Sequence, residues 1–210
     1  MDFYSDSSAP GAVLYVHGRA GSASEAEKYV PLFPGRAVAG LDYKTFSPWE
    51  TGREIRAAAE KLREKHDDLV LVANSIGAYF SMNAGLEGLV GRAYFISPVV
   101  DMEKLIEGLM AASGVTEDEL RARGVIPTDL GEDLSWEYYS YVRANPVKWD
   151  VPTEILYGGA DELTSYETMR AFAAAHGAGL AVMEGGEHWF HTPEQVRFLE
   201  DWIRRKEKER

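Results

Sequence analysis

The sequence predicts a three-layer α/β/α sandwich around a mostly parallel sheet of about six strands. Apolar, β-rich runs alternate with helical patterns from one end to the other, which is how a parallel sheet with helices on both faces reads. The runs are almost continuously Val, Leu, Ile, Tyr and Phe, as strands buried on both faces must be. Capping signals recur in the gaps between them. At 210 residues the chain suits one domain, and no linker, fixed-period repeat or low-complexity run divides it.

Taken in order, the expected strands are Ala12 to His17, Arg36 to Leu41, Leu69 to Asn74, Ala93 to Ser97, Thr153 to Tyr157 and Gly179 to Met183. Five Ser/Thr residues followed three positions on by Glu or Gln mark helix starts: Ser22/Glu25, Thr51/Glu54, Thr116/Glu119, Thr164/Glu167 and Thr192/Gln195. After Thr51, Ile55, Ala59 and Leu62 share a face. In the last helix, which has Pro193 in its first turn, Val196, Leu199, Trp202 and Ile203 do so. The ends, Met1 to Pro10 and Lys206 to Arg210, are expected to be disordered. Between Ser97 and Thr153 the alternation stops. Helical patterns run over Met102 to Ala112, Thr116 to Arg123 and Ser135 to Ala144 with no good strand, too long a stretch for a plain crossover. It reads as a helical cap, at about 101–150, inserted at a strand's C-terminal end, where open parallel sheets bind ligands.

Four segments carry candidate chemistry. Leu69-Val-Leu-Val-Ala-Asn-Ser-Ile-Gly-Ala78 is a strand running through a small-residue turn into a helix, which would project the Ser75 hydroxyl above the sheet. Ala73 and Gly77 flank the serine at two residues' distance, and read alone Ser75 could equally be a helix cap. Val13-Leu-Tyr-Val-His-Gly-Arg-Ala-Gly-Ser22 ends a strand in a glycine-interrupted loop. Backbone N–H groups of Arg19 and Ile76 are assigned as oxyanion donors, because acyl transfer needs donors fixed before charge develops. Asp161, in Gly158-Gly-Ala-Asp-Glu-Leu-Thr164, and His188, in Gly185-Gly-Glu-His-Trp189, each follow a strand. A serine hydroxyl needs an imidazole to take its proton, and the imidazole needs a carboxylate to hold its tautomer.

Taken in chain order, from the His17 loop through Ser75 and Asp161 to His188, these four motifs resemble the α/β-hydrolase fold and its small lipase-like, esterase-like and serine-aminopeptidase-like members, over nearly the whole chain. The resemblance implies a nucleophile at Ser75, an acid at Asp161 and a base at His188, with His17 bracing the oxyanion loop. Ala73 departs from the family's usual glycine, and the two leading antiparallel strands are missing or reduced to Met1 to Ser5. The implied activity is a serine hydrolase acting on carboxylic esters or related acyl bonds of a small substrate, with no cofactor and no metal.

Alternatives attach to several residues. Asp101 also follows a strand and rivals Asp161, whose loop matches the family's acid loop more fully. His191 invites a metal reading, but with Glu187 it forms no recognisable ligand spacing. His66 and His176 lie at helix ends, where positive charge is favoured. Trp136, Tyr139 and Trp189 are the candidate substrate contacts, although cap aromatics equally suit packing. An aminopeptidase or amidase would use Glu132 or Asp133 to hold an amine, and a non-catalytic receptor would lack an activated serine.

A net charge of −12 repels phosphate backbones, so nucleic acid is not an expected partner, and a small neutral or cationic molecule is. No apolar stretch approaches the roughly 20 residues of a membrane span. Zero cysteines exclude disulfides and thiolate chemistry. With Asp2 and Asp6 in place of a basic leader, the chain reads as cytoplasmic.

Overall fold

A computed structural model describes residues 1–129 and 131–209. The chain divides into two compact units, 1–100 with 148–210 and 101–147.

The first unit is built on a seven-stranded sheet. In chain order its strands are β1 (Asp2–Phe3), β2 (Gly11–Val16), β3 (Arg36–Leu41), β4 (Asp68–Asn74) and β5 (Arg92–Ile96), and, after the second unit's short β6 (Val125–Ile126) and β7 (Leu134–Ser135), β8 (Thr153–Gly158) and β9 (Gly179–Met183). They lie in the order β1-β3-β2-β4-β5-β8-β9. Six strands pair in parallel and match the expected six. The seventh, β1, adds antiparallel to β3 through Asp2↔Gly40 and Phe3↔Ala39. The expectation of disorder is thereby corrected for Asp2 to Ser5, and β1 matches the reading of leading antiparallel strands reduced to Met1 to Ser5. Tyr4 N–H donates to Val38, and Ser5 Oγ bridges Arg36 O and Val38 N–H at 2.9 and 2.7 Å, extending the pairing where strand propensity alone gives little signal.

Strand composition explains strand position. All six residues of the central β2 are buried, whereas the edge strand β9 is only partly covered. Helices α1 (Pro48–Arg63), α2 (Ile76–Met82), and, following the second unit's α3 to α5, α6 (Tyr166–His176) and α7 (Pro193–Lys208) connect or follow the strands, together with a 3₁₀ helix over Ala23–Leu32. One core cluster joins Val13, Tyr15, Tyr29, Val72 and Tyr94 to Leu199, Trp202 and Ile203 of α7. The tail, expected to be disordered from Lys206, is helical to Lys208, and Arg210 lies outside the described residues.

Two helix starts differ from expectation. Helix α1 begins one turn early because Ser47 accepts from Glu50 N–H and Pro48 supplies a preset first-turn φ. Thr51 instead donates to Thr45 O at 2.7 Å. Helix α6 is capped by Ser165, not Thr164, whose N–H and C=O are both used elsewhere.

The second unit contains α3 (Met102–Ala112), α4 (Glu117–Arg123) and α5 (Trp136–Ala144), as expected, plus the β6–β7 hairpin, which the sequence did not signal. Helix α3 packs against α5. Arg143 bridges Glu103 and Glu117 at 3.4 and 3.1 Å. Among the described residues no helix is long and apolar enough to cross a membrane.

Candidate active site

The sheet order reverses at β2: β3 lies on one side of it and β4 on the other. Such a reversal opens a crevice at the C-terminal strand ends. Here the loop after β2 meets the turn after β4, and a Cβ placed on Gly18 would come within 3.1 Å of Ser75 Cβ.

Ser75 has φ 51° and ψ −124°, outside the regions open to most side chains, at a strain of about 1–3 kcal/mol. The surroundings over-determine it. Its N–H donates to Ile96 O, and its carbonyl accepts from Ala78 and Val99 N–H, all at 3.0–3.1 Å. Gly77 is obligatory in the turn, since a Cβ there would run into the carbonyls of His17 and Val16. At Ala73, by contrast, the methyl is accommodated, fully buried between Val16 and Phe95 in the ladder.

Ser75 Oγ lies 2.8 Å from His188 Nε2, and His188 Nδ1 lies 2.7 Å from Asp161 Oδ2. The Asp161 side chain is fully buried while that of His188 is 26% exposed. Both carboxylate oxygens are engaged: Oδ1 accepts from Leu163 and Thr164 N–H at 2.8 and 3.2 Å, leaving Oδ2 for the imidazole. The loops after β8 and β9 are stitched together. Gly159 N–H donates to Met183 O and Ala160 N–H to Gly186 O, both at 2.8 Å. A Cβ on Gly158 would meet the carbonyls of Gly186 and Glu187 at 2.5 and 2.6 Å, so only glycine allows this approach. The three side chains thus come together from the ends of β4, β8 and β9. Asp101 serves its own helix: its carboxylate accepts from Lys104 N–H at 3.0 Å and caps α3.

Ile76 is the first residue of α2, so its N–H has no partner within the helix. Arg19 lies in a tight turn closed by Gly21 N–H to Gly18 O at 3.2 Å, with Ala20 at φ 56°. His17 braces the turn from inside. Its ring stacks on Tyr43 at 4.1 Å, and Nδ1 lies 2.7 Å from Gly18 O. Tyr43 and Asp42 were missed in the sequence. Tyr43 Oη donates to His17 O at 3.0 Å, and burial raises its phenol well above the ordinary value, keeping the proton there. Asp42 accepts from Ala23 N–H at 3.0 Å, a bond that lowers its carboxyl below the usual range. Their position directly after β3, on the same sheet edge, was the available signal.

The remaining candidates separate by setting. Trp189 is 72% exposed and stacks on His191 at 4.8 Å; His191 Nδ1 lies 2.6 Å from Trp189 O and 3.3 Å from Glu187 Oε2. Trp136 is half-buried beneath the Arg121 guanidinium, 4.8 Å from its ring. Tyr139 is buried, donates to Glu107 at 3.0 Å and lies under Arg143, which gives it a packing task between α3 and α5. His66 Nδ1 lies 2.7 Å from Ala9 O, and His176 Nδ1 lies 2.8 Å from Trp149 O.

No protein-family model and no curated protein sequence matches the chain. Solved structures do. Est1E from Butyrivibrio proteoclasticus, in a complex with ferulic acid, superposes with a TM-score of 0.76 at 17% identity, covering 95% of this chain and 88% of that one. Mouse alpha/beta hydrolase domain-containing protein 10 gives 0.70 at 14%, covering 94% and 90%. A proline iminopeptidase-related protein from Thermus thermophilus gives 0.61 at 18%, covering 93% and 88%. Likeness at this identity speaks for architecture, and with the strand order and parallel pairing above it leads to one conclusion: the chain has the α/β-hydrolase fold.

Proposed function

We propose that the protein is a serine hydrolase that cleaves carboxylic esters or related acyl bonds of a small substrate. The observation that carries this reading is the unbroken hydrogen-bonded series from Ser75 Oγ through His188 to the buried Asp161. In the proposed reaction Ser75 Oγ attacks the substrate carbonyl as its proton passes to His188 Nε2, and Asp161 stabilises the imidazolium and fixes its tautomer. The negative oxygen is held by the N–H groups of Ile76 and Arg19. Collapse of this intermediate breaks the ester C–O bond, the alcohol leaves with the proton from His188, and the acyl group stays on Ser75. Water, deprotonated by His188, then attacks the acyl carbonyl and releases the acid, returning the proton to Ser75.

The strained turn at Ser75 supports this reading, because a capping serine needs no such backbone. The fold neighbours, which include a thioesterase domain, a lipase-esterase related protein and a proline iminopeptidase-related protein, favour hydrolysis without selecting the bond. We assign substrate selection to the unit 101–147, with Trp136 as its contact, and to Trp189 beside the proposed base.

Labelling with a fluorophosphonate probe tests the assignment. Wild-type protein should be labelled and should turn over short-chain aryl esters, and Ser75→Ala should lose both. Labelling that persists in Ser75→Ala would sink it. A series of acyl esters beside aminoacyl arylamides separates esterase from aminopeptidase, and an absence of labelling in the wild type would favour a receptor.

A further inference from the structure

A chain of polar side chains that the proposed reaction leaves unused ties the two oxyanion segments together. It starts at Glu25, which the sequence marks only as part of a helix cap. Glu25 Oε1 accepts from Ser22 N–H at 3.3 Å and lies against Gly21, where a Cβ would approach it to 2.6 Å. Glu25 Oε2 accepts from Tyr15 Oη at 2.5 Å, a short, charge-assisted bond. Tyr15 Oη in turn accepts from Asn74 Nδ2 at 3.0 Å, and Asn74 is the peptide neighbour of Ser75. The Tyr15 side chain is wholly buried, packed on Tyr29 at 5.1 Å, and burial drives its phenol far above the ordinary value, so it remains a donor. Lys28 Nζ, 3.7 Å from Glu25, partners the carboxylate's charge.

The placement matters because the two donors belong to segments far apart in sequence. The last ladder pair joining β2 to β4 is Val16↔Ala73. Beyond it the ladder ends in the Gly18–Gly21 turn, which carries Arg19, and the Asn74–Ser75 turn, which leads to Ile76, and the two turns touch where Gly18 and His17 meet Ser75 and Gly77. Oxyanion donors work only if their spacing is fixed before charge develops. One carboxylate holds the base of the first turn with one oxygen and, through a single buried hydroxyl, the approach to the second with the other.

We propose that Glu25, acting through Tyr15 and Asn74, is a positioning residue that sets the spacing of the Arg19 and Ile76 donors. This rests on the acyl-transfer reading above. The test compares wild type, Ser75→Ala, Glu25→Gln and Tyr15→Phe on a short aryl ester and with a trifluoromethyl ketone, which forms a tetrahedral oxyanion on the serine. Both conservative variants should lower kcat about 10- to 100-fold, below the roughly 10²–10³ cost of deleting an oxyanion donor outright, with KM little changed. Affinity for the ketone should fall by the same factor, and the double variant should be no worse than the poorer single one, because both cut the same chain. A merely structural role would lower the melting temperature without this parallel loss. If wild type turns over the ester while folded variants keep both kcat and ketone affinity, the positioning role is overturned. Tyr15→Phe, which removes one oxygen from the core, decides the matter if Glu25→Gln fails to fold, and loss of folding in both also overturns it. If wild type neither reacts nor is labelled, the hydrolase reading itself fails.

Discussion

Ser75, His188 and Asp161 depend on one another in a way that fixes the order of mutational effects. A neutral imidazole has one N–H, and Asp161 Oδ2 at 2.7 Å from Nδ1 claims it, leaving Nε2 free to accept from Ser75. His188→Ala should therefore cost about 10³-fold or more in kcat, and Asp161→Asn a comparable factor by favouring the wrong tautomer. His191→Ala should cost far less, since that ring meets the backbone of Trp189, its indole and Glu187. Steady-state rates on one ester check the ranking, and a larger loss at His191 would misplace the base. Asp101→Asn is a sharp control. Asn caps a helix as well as Asp does, so both activity and melting temperature should stay within error of wild type.

Elements are held by a few positions where backbone meets backbone. At Gly77 a Cβ would strike the carbonyls ending β2, so Gly77→Ala should destabilise by about 1–3 kcal/mol or more as helix α2 is pushed off the strand. Gly108, inside α3, has open space where an alanine methyl would stand, with nothing within 4 Å, and Gly108→Ala should stabilise by about 0.5–1 kcal/mol. Opposite signs in urea denaturation check the pair. Thr192 accepts from Gln195 N–H at 3.3 Å at the start of α7, so Thr192→Ala should cost about 1 kcal/mol. The sequence located that cap and those at Ser22 and Thr116, since capping is local chemistry. It misplaced the starts of α1 and α6, where Ser47 and Ser165 compete with equally suitable threonines. The winner was set by what the adjoining loop had already engaged, the hydroxyl of Thr51 and the backbone N–H and C=O of Thr164.

At the scale of the whole molecule, the unit 101–147 leaves the sheet after β5 and returns before β8, carrying none of the three proposed catalytic residues. Its proposed task in selectivity predicts that Trp136→Ala shifts the preferred acyl length by about 10- to 200-fold in kcat/KM ratios while fluorophosphonate labelling persists. Tyr139→Ala should instead lower stability by about 3 kcal/mol or more, as truncation of a buried aromatic does; thermal melting distinguishes the two. Uniform loss on every ester from Trp136→Ala would reduce the unit to packing. The sequence by itself determined the six parallel strands, the three helices of the inserted unit and the chain order of Ser75, Asp161 and His188, because strand burial, helical period and loop glycines are written within a dozen residues. Tertiary structure alone decided that β1 joins β3, that Tyr43 stacks on His17, that Tyr139 packs α3 on α5, and that Glu25 reaches beyond its own helix cap to Tyr15. Those outcomes depend on which distant segments the folded sheet brings side by side, and no local pattern carries that information.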